Sequence, residues 1–194
     1  MPSTPIDDAK KTMKIPVFVS SPSMNNLSPD QERVRQAILG FLDYFDLEPR
    51  ALGRSDYADG LPLREVLVIA RHCAGGIVLG FEQFRATAGT WKLESERQKA
   101  LVPPEYCIFP SEWNNLEAGI MFGLGLPMLI FREVRAEGKE LYRVKGGVFD
   151  EGVTEVYLRD MPQAGASPEN DSELKHVFLK WHARVSAHYY GSAK

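Results

Sequence analysis

A chain of 194 residues, 44% hydrophobic and 25% charged, is long enough for one domain with a sizeable core and too ordinary in composition for a disordered or fibrous protein. Its 23 Lys+Arg and 26 Asp+Glu leave a net charge of −3 with no basic run, which argues against binding nucleic acid or an anionic membrane through charge. Cys73 and Cys107 make no disulfide framework and no metal-ligand spacing, and no stretch reaches the ~20 apolar residues of a membrane span.

The first 13 residues are polar, without the apolar centre of a signal peptide, so they read as a flexible lead to a soluble, cytoplasmic domain over 14–194. Ile15 to Ser20 is a β-branched and aromatic run that predicts a buried strand. Ser28-Pro29-Asp30-Gln31 carries the signs of a helix start, with Ser28 as N-cap, Pro29 in the first turn and Gln31 closing a capping box. Val34, Ile38, Phe41, Leu42 and Phe45 follow at helical spacing. Leu47 to Leu52 predicts a second strand, moved to an edge by Pro49. After a polar loop, Gly53 to Gly60, Pro62 opens a second helix through Leu63, Val66, Leu67 and Ala70.

Gly76 to Phe81 is the clearest central strand. Residues 82–109 are polar and longer than a usual connection, which marks an insertion, a lid or an assembly element. A helix over 111–124 leads to a fourth strand, Pro127 to Phe131. A second polar excursion, 133–152, precedes a fifth strand at Thr154 to Leu158 and a closing helix from Ser172 to Tyr190. Strands that are apolar runs, alternating with helices, predict an α/β fold with a five-stranded parallel sheet of flavodoxin-like order, 2-1-3-4-5.

The helix over 111–124 holds the feature with most chemical content. At about 100° per residue, Trp113, Leu116, Ile120, Met121 and Leu124 fall on one arc, with Glu117 inside it and Asn114, Asn115 and Ala118 on the other side. A carboxylate on an inward stripe is costly unless paired, protonated or lining a cleft, and such acids are candidates for chemistry. The plainer reading is a helix-edge Glu that reaches solvent or an arginine. Gly119, Gly123 and Gly125 read as close packing and a helix exit before Pro127, not as a dinucleotide fingerprint.

In a sheet of this order the ligand crevice lies beyond the carboxyl ends of the strands, where the strand order reverses. Four segments converge there. Ser20, Ser21 and Pro22 follow strand one, and Arg50, Arg54 and Tyr57 follow strand two. Gly80, Phe81 and Gln83 follow strand three, and Trp113 and Glu117 head the helix. Hydroxyls and loop amides can hold phosphate or ribose oxygens, the arginines can clamp a phosphate, and Tyr57 or Trp113 can stack on a ring. Each also has an ordinary reading: serines that close a turn, arginines in solvent, a tryptophan in the core. No Walker-type phosphate loop is present, and the four histidines show no metal-ligand spacing. Cys107, in an apolar run, reads as packing.

Trp113-Asn114-Asn115-Leu116-Glu117, with its glycine-containing helix end and the strand Leu126 to Ile130, resembles the Trp-x-x-x-Glu segment of TIR domains, whose enzymes use a glutamate on this helix to cleave NAD. Val17 to Ser20 resembles their opening strand, Tyr57 to Pro62 the loop before the second helix, and Cys73 to Leu79 the third strand and its approach. The likeness covers roughly residues 14–131. Nucleoside 2-deoxyribosyltransferases are similar in fold and also place a catalytic glutamate before a Gly-x-Pro-strand ending. The chain departs from TIR domains in lacking a Ser-Lys/Arg-x-Phe box at strand one, and from the transferases in lacking a Gly-Thr pair before the glutamate.

The resemblance implies a TIR-like hydrolase or base-exchanger with Glu117 catalytic, NAD or a related nucleotide as substrate, no further cofactor or metal, and a homo-oligomer in defence or cell-death signalling. It also leaves room for a nucleotide-sensing or self-associating module without activity, or a deoxyribosyltransferase-like enzyme. The chemistry suits a single acid. Breaking the nicotinamide–ribose bond passes through an oxocarbenium-like cation that a carboxylate can stabilise, and the cationic nicotinamide leaves without protonation.

Overall fold

A computed structural model describes residues 14–52, 61–150 and 157–191. Strand β1 (Ile15–Ser20) leads through a short 3-10 turn to helix α1 (Pro29–Tyr44), edge strand β2 (Leu47–Arg50), helix α2 (Pro62–Arg71) and strand β3 (Gly76–Gly80). Four short strands, β4 (Phe84–Ala86), β5 (Gly89–Trp91), β6 (Lys99–Leu101) and β7 (Cys107–Phe109), precede helix α3 (Glu112–Gly123) and strand β8 (Met128–Arg132). A hairpin of β9 (Val134–Glu137) and β10 (Glu140–Arg143), strand β11 (Tyr157–Asp160) and helix α4 (Ser172–Gly191) complete the chain.

The five long-range strands form one parallel sheet in the order β11-β8-β3-β1-β2, which is 2-1-3-4-5 when its members are counted along the chain. This is the flavodoxin-like arrangement. Alternate residues of each strand serve opposite faces. Val17, Val19, Ile77, Leu79, Leu129 and Phe131 pack with α1 and α4, while Phe18, Val78, Met128 and Ile130 pack with α2 and α3. Burial on both faces is why the strands read as continuous apolar runs.

The capping box at α1 is complete. Gln31 N donates to Ser28 Oγ at 3.2 Å, and Ser28 N donates to Gln31 Oε1 at 2.9 Å. Pro49 sits in the outermost strand, where its missing N–H costs no ladder bond. Helix α4 is pinned by Trp181, fully buried, whose indole Nε1 donates to Pro127 O at 3.0 Å. The described part of the fifth strand, Tyr157–Asp160, takes in Tyr157 and Leu158 of the predicted Thr154 to Leu158, and 154–156 lie outside the described residues.

The polar excursions are folded rather than loose. In residues 82–109, β4 pairs with β7 and β5 with β6, all antiparallel, which makes a ribbon. The β9–β10 hairpin meets this ribbon through an Ile108–Val144 bridge and stacking of Tyr106 on Tyr142 at 3.8 Å. Among the described residues, no helix is long and apolar enough to cross a membrane.

Helix α3 differs most from its sequence reading. Asn114, Ala118 and Met121 face inward, whereas Trp113 is 43% and Leu116 50% exposed. The buried face is therefore turned by about a quarter of a circle from the apolar arc. Close approach to the sheet explains the shift: a Cβ on Gly76 would stand 2.0 Å from Met121 Sδ, so only short or flexible side chains fit between helix and strand. Gly119 and Gly123 were expected to provide close packing but face open space, and only Gly125, at φ +70°, makes the exit turn.

Two glycine substitutions test this packing in opposite directions. A Cβ at Gly80 would lie 2.2 Å from the Phe149 ring, so Gly80→Ala is expected to destabilise the protein by about 1–3 kcal/mol. Gly119→Ala, in open space within α3, is expected to stabilise it by about 0.5–1 kcal/mol. Urea unfolding of the two variants reads both signs.

Candidate functional site

Strand β1 lies between β2 and β3, so the order of the sheet reverses at its carboxyl end. Its last residue, Ser20, is 1% exposed and therefore requires hydrogen-bond partners. They come from α3. Asn114 Nδ2 donates to Ser20 Oγ at 2.8 Å, and the Ser20 hydroxyl favours the charged form of the Glu117 carboxyl. This polar chain of Asn114 and Ser20, with Glu117 beside it, fastens the helix to the end of the strand.

Two further features fix α3. Ser111 caps it, its Oγ accepting from Trp113 N at 3.2 Å. Asn115 Oδ1 accepts from Val148 N at 3.1 Å and lies so close to Gly147, at φ +62°, that a Cβ there would stand 2.1 Å away. Consecutive asparagines therefore hold the helix from two sides.

Above the polar chain opens a crevice of about 220 Å³. Ser21, Pro22, Ser23 and Asn26 of the loop after β1 form one wall; Ser111, Trp113, Asn114 and Glu117 of the α3 segment form another. Leu52 and Pro62 close it. Glu117 is the one charged side chain among the described lining residues. Burial pushes its carboxyl up to about 7, against the opposing donation from Ser20. At neutral pH the group is poised between ionised and protonated forms.

The predicted site residues divide clearly. Ser21, Pro22, Trp113 and Glu117 line the crevice, and Ser20 lies behind it on Glu117. Ser21 Oγ is directed to Pro22 O at 3.2 Å, a turn contact. Gln83 reaches the site only indirectly, donating to the carbonyl of Asn26 at 3.1 Å. Gly80, Phe81 and Arg50 do not join the lining. Gly80 abuts Phe149, Phe81 is buried in the α1/α4 core, and Arg50 stands in register with Phe18 on the edge strand. Arg54 and Tyr57 lie outside the described residues. Trp113 is the reverse of a core tryptophan: its exposed indole borders the crevice.

The sequence reading missed Asn114, Ser111, Asn26 and Pro62. Asn114 was visible in principle, because it precedes Glu117 by three residues and so shares its side of the helix.

A larger cavity of about 550 Å³ also contains an acid, Glu133. There Glu133 Oε2 accepts from Gln31 Nε2 and Glu82 N, both at 2.7 Å, while Oε1 pairs with Arg135 at 2.8 Å. That carboxylate ties α1 to the strand ends and has its oxygens occupied. Among the described residues, no group of three His, Cys, Asp or Glu side chains is arranged to hold a metal ion. Comparisons of the chain with protein families, with curated proteins and with solved structures return no match.

The raised Glu117 carboxyl has a thermodynamic consequence. Its folded value, about 7, lies above the ordinary 4.5, so its contribution to stability is complete below pH 4.5 and is lost as pH rises through 7. Glu117→Gln keeps an acceptor for Ser20 without the charge. It is expected to exceed wild type in stability by about 1–3 kcal/mol at pH 8.5, with the gap closing near pH 5. Urea midpoints at the two pH values decide the matter.

Proposed function

We propose that this protein is a cytoplasmic TIR-like enzyme that cleaves the ribosyl C–N bond of NAD or a related nucleotide, with Glu117 facing the anomeric carbon. The observation that carries the reading is a partly buried carboxylate, alone in its charge among the described lining residues, in the crevice at the reversal point of the sheet. The Trp113 to Glu117 segment, with its likeness to TIR domains, supports the same assignment.

The chemistry follows from charge. As the C1′–N bond breaks, its electron pair goes to the cationic ring, which leaves neutral. Positive charge then develops on the ribosyl carbon and ring oxygen. An ionised Glu117 in a region of low dielectric stabilises that cation. Water attacks C1′ and loses a proton to give hydrolysis; a second base attacks instead in base exchange. The Ser20 hydroxyl favours the charged form of the Glu117 carboxyl. Trp113 offers an exposed aromatic face for the base or the nicotinamide ring.

A second reading rests on different residues of the same helix. Leu116 and Phe122 are 50% and 62% exposed, which suits a self-associating module that binds nucleotide without cleaving it. Sedimentation with and without NAD, together with mass spectrometry of the recovered ligand, separates the two. Intact NAD at every protein concentration rejects the enzyme.

Glu117→Ala is expected to reduce NAD turnover by about a hundredfold or more, the scale of losing a dominant electrostatic group. Equal turnover by wild type and variant rejects the catalytic role. Because the ionised form does the work, turnover is expected to rise with pH through about 7. Ser20→Ala removes a donor that lowers the Glu117 value, so the same rise is expected at more alkaline pH. A pH–rate profile unmoved by Ser20→Ala rejects the coupling.

A further inference from the structure

Asn114 carries an atom for which no described residue supplies a partner. The side chain is 1% exposed and belongs to the crevice lining, yet among the described residues Oδ1 accepts no hydrogen bond while Nδ2 donates to Ser20. Buried amide oxygens are nearly always satisfied, so an orphan in a ligand crevice marks a place where a ligand supplies the donor.

The neighbours also determine which way the amide points. Ser20 Oγ lies 2.8 Å from Asn114 Nδ2. It accepts from Asn114, so the NH2 group faces Ser20 and the oxygen faces away. Asn114 and Glu117 are three apart on α3, neighbours on the helix surface about 5–6 Å apart at Cβ. A pentose whose C1′ is held at Glu117 carries its nearest hydroxyl, on C2′, across that short interval.

We propose that Asn114 Oδ1 accepts a hydrogen bond from the ligand's 2′-hydroxyl and makes the crevice selective for ribosyl over 2-deoxyribosyl ligands. The assignment rests on the proposed function in one respect: it takes C1′ to face Glu117. It separates a ribonucleotide glycosidase from a deoxyribosyltransferase, whose substrate has no such hydroxyl. Discrimination has a simple origin. A deoxy ligand buries the orphan oxygen without satisfying it, whereas an apolar residue at 114 has nothing left unpaired.

The test uses the full chain with NAD, 2′-deoxy-NAD and 2′-fluoro-NAD as titrants, read before appreciable turnover, and mass spectrometry to report how much of each ligand is cleaved. The fluoro analogue keeps bulk at C2′ but cannot donate. Wild type is expected to bind NAD about ten- to a hundredfold more tightly than either analogue, and Asn114→Ala to bind all three within about threefold. Asn114→Ser keeps a short donor toward Ser20 without an oxygen at the Oδ1 position, and is expected to behave like Asn114→Ala if the latter folds poorly. Wild type without preference for NAD, or variants that retain the preference, overturn the proposal. Preferential binding of NAD without cleavage upholds Asn114 and overturns the glycosidase. Cleavage of NAD and 2′-deoxy-NAD with equal efficiency does the reverse. Failure to bind NAD at all overturns both.

Discussion

A parallel sheet covered on both faces confines polar chemistry to the ends of its strands, and much else in this molecule follows from that confinement. Val17 and Val19 point to one helical layer and Phe18 to the other, so β1 has no interior position where a functional group could meet solvent. The first polar side chain of the strand is Ser20, itself buried, at the point where the neighbours on either side diverge. The crevice is thus a property of the topology, and the residues on its walls give it chemical character.

The character comes from an acid whose burial is only partly compensated. Ser20 favours the charged form of Glu117, but no described cation lines the crevice to neutralise it. Contrast Glu133, which is satisfied by Gln31, Glu82 N and Arg135, and Asp160, where burial is outweighed by Arg143 and Arg132, which hold the carboxyl low. Three partly sheltered acids at the strand ends thus have different environments. Two are fastened as struts, and Glu117 faces a crevice with no described cation on its walls.

The architecture was legible in the sequence because it is written in runs and caps. Ser28, Pro29 and Gln31 marked a helix start by local hydrogen bonding, and Pro49 marked an edge by the bond it cannot make. Glu117 was legible as an acid out of place. The rotation of α3 was not, because hydrophobicity ranked Trp113 and Leu116 above Asn114 and Ala118 as inward residues. Tertiary context reversed the ranking: a distant serine satisfied the asparagine, and glycine at position 76 left room only for a tight approach. Gly80 and Phe81 misled for a related reason. Proximity to a strand end does not say which side of the sheet a residue serves, and these two pack against Phe149 and the α1/α4 core.

The edges of the sheet carry a consequence for how copies of this chain can meet. Both outer strands, β2 and β11, have four described residues. One contains Pro49 and Glu48; the other contains Arg159 and Asp160, with Asp160 held by two arginines. Short, charged or proline-bearing borders are poor templates for adding a strand, so the sheet is guarded against growing laterally into a fibre. Helix α3 presents Leu116 and Phe122 to solvent on the element that also carries Glu117. A copy that docked on that face would rest on the same helix as the crevice acid.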